Sequence, residues 1–128
     1  MDQTRPIIEY DPNAKITVSD PAKHSGGLSG HTEYRLKGVD SQGEFDIARR
    51  YKEFYQLRSV LTRNWPGFYI PAIPPKVRVG KMEEGVVQER CYLFNRFMKD
   101  ISEIPHLWES DEVKMFLRPS TNVSDAMS

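Results

Sequence analysis

The run Arg49-Arg50-Tyr51-Lys52-Glu53-Phe54 is where the chain changes its period. Ahead of it, Glu44–Tyr51 alternates through Phe45 and Ile47, as a half-buried strand does. Beyond it, Phe54, Leu57, Leu61 and Trp65 stand three or four apart, one face of a helix, and Pro66-Gly67 stops that helix. Working back, Asp40-Ser41-Gln42-Gly43 is turn chemistry, and His31–Asp40 alternates Thr32, Tyr34, Leu36 against Glu33, Arg35, Lys37. Lys15–Asp20 alternates too and ends at Pro21, which predicts a first strand. The stretch from His24 to Gly30 reads as a flexible loop. Residues 1–14, with Pro6, Pro12 and Asn13, read as an irregular lead-in holding a short strand at Ile7–Tyr10. Three antiparallel strands in succession make a small meander.

Working forward, Ile70-Pro71-Ala72-Ile73-Pro74-Pro75-Lys76 carries three prolines in seven residues and must be extended. Val77–Met82 is a short link containing Gly80. A second, longer helix begins near Glu83 or Glu84, whose carboxylates suit a helix N-terminus. Its apolar stripe is Val87, Cys91, Phe94, Met98 and Ile101, widened by Phe97 and Ile104, and Pro105 ends it. Ser110-Asp111-Glu112 caps a last short helix that buries Val113, Phe116 and Leu117. Residues 119–128 are small and polar and predict a disordered tail. Strands followed by helices give an α+β domain: a three-stranded antiparallel β-meander packed against a helical subdomain, with a proline-rich crossover between the two long helices.

At 128 residues the chain fits one domain with one modest core. No stretch approaches the ~18 apolar residues of a membrane span. A single cysteine, Cys91, excludes a disulfide framework and a cysteine-rich zinc site, and a cytoplasmic protein is the natural expectation. The net charge is zero, but eleven basic residues stand against four acids between 49 and 99, while acids outnumber bases on either side. That distribution suits an anionic ligand at one place, or charges scattered over a solvated surface.

No enzyme is expected. His24, His31 and His106 fall in a loop, a strand start and a helix junction, with no spacing that makes a metal pair or a general base. Cys91 lies on an apolar helix stripe, where a buried structural thiol is the expected role. The glycine-rich loop at 24–30 lacks the lysine and hydroxyl of a nucleotide-binding loop. No metal or cofactor is expected, and no nucleic acid, because the basic residues lack a stacking platform of exposed aromatics.

Arg49 and Arg50 carry more information. A guanidinium offers fixed donors that match phosphate oxygens. Alternation places Arg50 away from Phe45 and Ile47, and Tyr51 follows where strand passes into helix. The pair reads either as a ligand site or as arginines that blunt a strand edge. Arg90 lies four before Phe94 and seven before Phe97, at the edge of the apolar stripe. A guanidinium there needs an acceptor, either Glu53 or an anionic ligand. In the link, Val77, Val79 and Met82 alternate with Arg78 and Lys81, which suits an anionic bilayer interface or simple packing under the loop. Pro71-x-x-Pro74-x-Lys76 is also a passable ligand for a Src-homology-3 domain, hence a route to protein partners.

Taken in order, four pieces resemble the phox-homology (PX) domain family over roughly residues 7–118. They are Arg49-Arg50-Tyr51-Lys52-Glu53-Phe54, Ile70 to Lys76, Glu89-Arg90 with Phe97-Met98 downstream, and Phe116-Leu117. The resemblance assigns residues 15–118 to the PX domain. It implies a sorting-nexin-like, phosphoinositide-binding module that is peripheral on endosomal or related membranes and serves trafficking. It further implies that Arg50 grips the 3-phosphate of phosphatidylinositol 3-phosphate, Tyr51 stacks on the inositol ring, Lys76 meets the 1-phosphate, and Arg90 bonds the 4- and 5-hydroxyls. Val77, Arg78, Val79, Lys81 and Met82 match the membrane-insertion loop, which is short here and lacks aromatic or leucine residues.

Overall fold

The computed structural model describes residues 13–24, 30–76 and 80–127. The short strand expected at Ile7–Tyr10, residues 25–29 of the glycine-rich loop and Val77, Arg78 and Val79 of the link lie outside the described residues. Strands β1 (Ile16–His24), β2 (His31–Asp40) and β3 (Gly43–Arg50) form an antiparallel sheet in the order β1-β2-β3. Helices α1 (Tyr51–Asn64) and α2 (Glu84–Ser102) follow, then three short ones: α3 (Pro105–Trp108), α4 (Asp111–Phe116) and α5 (Val123–Ala126). The α+β meander-and-helices architecture expected from the sequence is the one observed.

Leu36 faces Val18 on one side and Ile47 on the other, so one register serves a single apolar face. That face meets the helices. Phe54 of α1 stacks on Phe94 of α2, with centroids 3.9 Å apart, and takes the edges of Tyr34, Phe97 and Phe116. Each such aromatic contact adds ~0.5–1.5 kcal/mol beyond its buried area. Helix α2 is also tied along β1: the Val18 N–H donates to Asn95 Oδ1 at 2.8 Å and the Cys91 thiol donates to the Val18 carbonyl at 3.8 Å. Cys91 is buried, and burial pushes its thiol up to about 12, which suits a structural thiol rather than a nucleophile.

Three expectations are corrected. Strand β1 does not end at Pro21; it runs to His24 through a register shift between Ser19 and Ala22. Asp20 takes a positive φ of 49° there, and a proline is tolerated where the ladder is already interrupted. His24 is therefore a strand residue, not a loop residue. The segment after Pro105 is not merely a helix stop, because α3 uses Pro105 at its first position and buries Leu107 and Trp108. Residues 119–127 are not a free tail either. Asn122 Oδ1 accepts from the Asp125 N–H, and Val123 and Met127, four apart on one face, join the core. Two apolar residues at helical spacing outweigh a polar composition.

The handover at residues 49–51 positions the site. Glu53 Oε1 accepts the Arg50 backbone N–H at 3.0 Å, which fixes the entry into α1. Arg49 turns the other way and is buried: it donates to the carbonyls of Phe116 at 2.9 Å and Arg118 at 2.6 Å, with its guanidinium 5.4 Å from the Phe116 ring. Arg49 thus bolts β3 to the end of α4, and Arg50 alone of the pair remains free for other work.

Candidate anion-binding site

A cleft of about 400 Å³ opens where the ends of β2 and β3, the start of α1, the proline segment and the first turns of α2 meet. Arg50 and Tyr51, Lys76, and Arg90, from three separate stretches of the chain, all line it. The first residues of α1 face the same space, so the positive end of that helix dipole adds to the side-chain charges.

Arg90 is the most constrained of the four. It is only 8% exposed, its guanidinium carbon sits 4.2 Å above the Tyr51 ring, and its Nε has no hydrogen-bond partner. Glu53 does not reach it. That carboxylate is taken by the Arg50 N–H and, at 3.4 Å, by Arg49. No carboxylate among the described residues pairs with Arg90. Of the two acceptors the sequence left open, the intramolecular one is occupied elsewhere, and a buried guanidinium without a counter-ion is costly.

Tyr51 is half-buried, donates its hydroxyl to the Pro74 carbonyl at 2.7 Å and packs on Phe94. Burial raises its hydroxyl pKa, against the opposing pull of Arg90. Tyr34 lies deeper in the same wall, where burial pushes its hydroxyl up to about 12 despite the charge of Arg90 beside it and a hydrogen bond to that side chain. Lys76 is exposed and holds its Nζ 5.0 Å from the Tyr55 ring.

The proline segment is fastened to α1 by its carbonyls. Arg58 donates to Pro71 at 2.8 Å and to Ile70 at 3.4 Å, beside the Tyr51–Pro74 bond. Pro71 and Pro74 are buried. A Src-homology-3 domain needs those ring faces free, so the protein-ligand reading of this segment is set aside. Its role here is to carry Lys76 to the cleft.

Of the expected insertion-loop residues, Lys81 and Met82 are described, and both line the cleft. Met82 is turned inward: its sulfur accepts from the Thr32 hydroxyl at 3.9 Å. The cleft also contains Lys52, His31 and Thr32, which sequence reasoning did not assign. Lys52 was inside the quoted motif. Its signal was its place in the first turn of α1, next to Tyr51. His31 and Thr32 carry no such signal, because only the sheet register brings the start of β2 to this mouth.

A family profile, that of the PX domain, matches residues 37–120. The chain belongs to the PX domain family. Sorting nexin-30 of Xenopus tropicalis is 32% identical over 111 residues, covering 80% of this chain and 25% of its own length. Human sorting nexin-7 is 31% identical over 122 residues, covering 86% of this chain and 32% of its own. The chain thus spans about a quarter to a third of these curated relatives. Among solved structures, a designed CISK-PX domain matches with a TM-score of 0.71 at 28% identity, covering 81% of this chain and 98% of that one. As a PX domain, this is a lipid-binding, non-enzymatic module of the phosphoinositide-binding trafficking class. Among the described residues, no helix is long and apolar enough to cross a membrane.

Proposed function

We propose that this PX domain reads phosphatidylinositol 3-phosphate and recruits its protein to endosomal membranes for sorting. The observation that carries the proposal is the convergence of Arg50, Tyr51, Lys76 and Arg90 on one cleft, with Arg90 buried there without a counter-ion among the described residues. In this reading Arg50 donates to the 3-phosphate, the inositol ring lies beside Tyr51, and Lys76 meets the 1-phosphate. Arg90 bonds the 4- and 5-hydroxyls and fills the space that further phosphates would need. Lys81, with Val77, Arg78 and Val79, faces the bilayer in this reading, each basic residue adding ~1 kcal/mol near an anionic surface. A charge-assisted hydrogen bond contributes ~1.5–3 kcal/mol, so each arginine accounts for roughly 10–100-fold in affinity.

Vesicle pelleting across a panel of phosphoinositides tests this. Wild type is expected to pellet best with the 3-phosphate lipid and Arg50→Ala to lose that preference. Equal pelleting of the two proteins with the 3-phosphate lipid would overturn the assignment.

A further inference from the structure

The sequence placed His24 in a loop and His31 at a strand start, with nothing to join them. The fold makes them direct cross-strand partners at the end of the β1–β2 pair where the two strands are connected. Glu33 lies two residues along β2, so it shares the face of His31, and both point away from the face that buries Thr32 and Tyr34. The two imidazole rings are 5.1 Å apart and nearly parallel, and His24 Nε2 stands 2.7 Å from Glu33 Oε1. One donor atom from each of the three side chains lies within 4.8 Å of the other two.

We propose that His24, His31 and Glu33 form a binding site for a divalent transition-metal ion of the zinc class. Two imidazoles and one carboxylate on a rigid strand pair are the donor set this class favours, and three protein ligands leave a fourth position open to solvent. Metal–donor bonds of ~2.0–2.2 Å require donors roughly 3.3 Å apart, so closing the set needs rotations about the side-chain bonds of half-exposed residues and no backbone movement. Nearby cations do not fill the site. Lys23 is held by Glu84 at 2.9 Å, and Arg35 by Asp46. Arg50 stands opposite Glu33 in the register but lines the cleft. The metal site rests on its own donor geometry, although His31 also borders the cleft.

The test uses untagged, chelator-stripped full chain titrated with Zn²⁺ by calorimetry and with Co²⁺ by visible absorption. One ion per chain and the visible bands of four-coordinate Co²⁺ are expected. Both are weakened at least about tenfold in His24→Ala, His31→Ala and Glu33→Gln and unchanged in His106→Ala. Glu33→Gln, which keeps its shape, carries the test should a histidine variant fail to fold by circular dichroism. Absence of stoichiometric binding by the wild type, or full binding by Glu33→Gln and His31→Ala, would overturn the site.

Discussion

Replacing Arg90 with methionine separates the cost of holding a charge from its use. In the free protein Arg90 is 8% exposed, has no ion pair among the described residues and leaves Nε unbonded. An unsatisfied buried donor costs ~1–3 kcal/mol. Against that stands its position 4.2 Å over Tyr51, a cation–π contact contributing ~0.5–2 kcal/mol. Methionine keeps an apolar stem of similar reach in the gap beside Phe94. Those two terms nearly cancel, but the buried Tyr34 hydroxyl also loses its hydrogen bond to Arg90, so Arg90→Met is expected to lie within about 1–2 kcal/mol of wild type. Urea denaturation followed by tryptophan fluorescence reads that difference, since Trp108 is buried in the core and Trp65 packs against it. The same variant is expected to bind the 3-phosphate lipid roughly 10–100-fold more weakly, having lost its charge-assisted bonds. A stability loss beyond about 2 kcal/mol with unchanged affinity would refute the reasoning, because Arg90 would then be a structural residue.

The adjacent arginines are expected to part company. Arg49→Ala strands the carbonyls of Phe116 and Arg118 and leaves Glu53 without its cation, at about 3 kcal/mol of stability, whereas Arg50→Ala stays within about 0.5 kcal/mol by the same denaturation assay. Met127→Ala is expected to lower stability by about 2 kcal/mol or more, since Met127 is 5% exposed in the core; a free tail would show no change. In alkali, Tyr34 and Cys91 are held protonated in the fold, each pushed up to about 12 from ordinary values of 10.0 and 9.0. Their contribution is complete below those ordinary values and is lost as pH rises toward 12, so the urea midpoint should fall across that window. Cys91→Val should soften the early part of that fall.

Most of the fold was legible because its elements are set by local period. Phe45 and Ile47 alternate, Phe54, Leu57 and Leu61 recur at helical spacing, and Ser110 caps α4 as its side chain predicts. What was missed depends on tertiary contact. Val123 and Met127 lie in a polar stretch, and only packing against α1 and α4 makes their burial favourable. Pro21 reads as a strand end, and a bulge absorbs it. In the site, residue types named Arg50, Tyr51, Lys76 and Arg90, but their convergence is a product of the crossover and the α2 register. The choice of Arg90 partner turned on Glu53, whose other two bonds no sequence pattern reveals. His24 and His31 became neighbours only through strand pairing seven residues apart.

The central claim is that the cleft guanidiniums of Arg50 and Arg90, and not the basic surface at large, take the phosphorylated headgroup. Arginine Nε–H signals report this residue by residue in proton–nitrogen correlation spectra during titration with soluble short-chain phosphatidylinositol 3-phosphate. The account predicts saturable shifts and slowed solvent exchange at Arg50 and Arg90, with Arg49 unmoved behind Phe116. Saturable binding that leaves both Arg50 and Arg90 unshifted would contradict it.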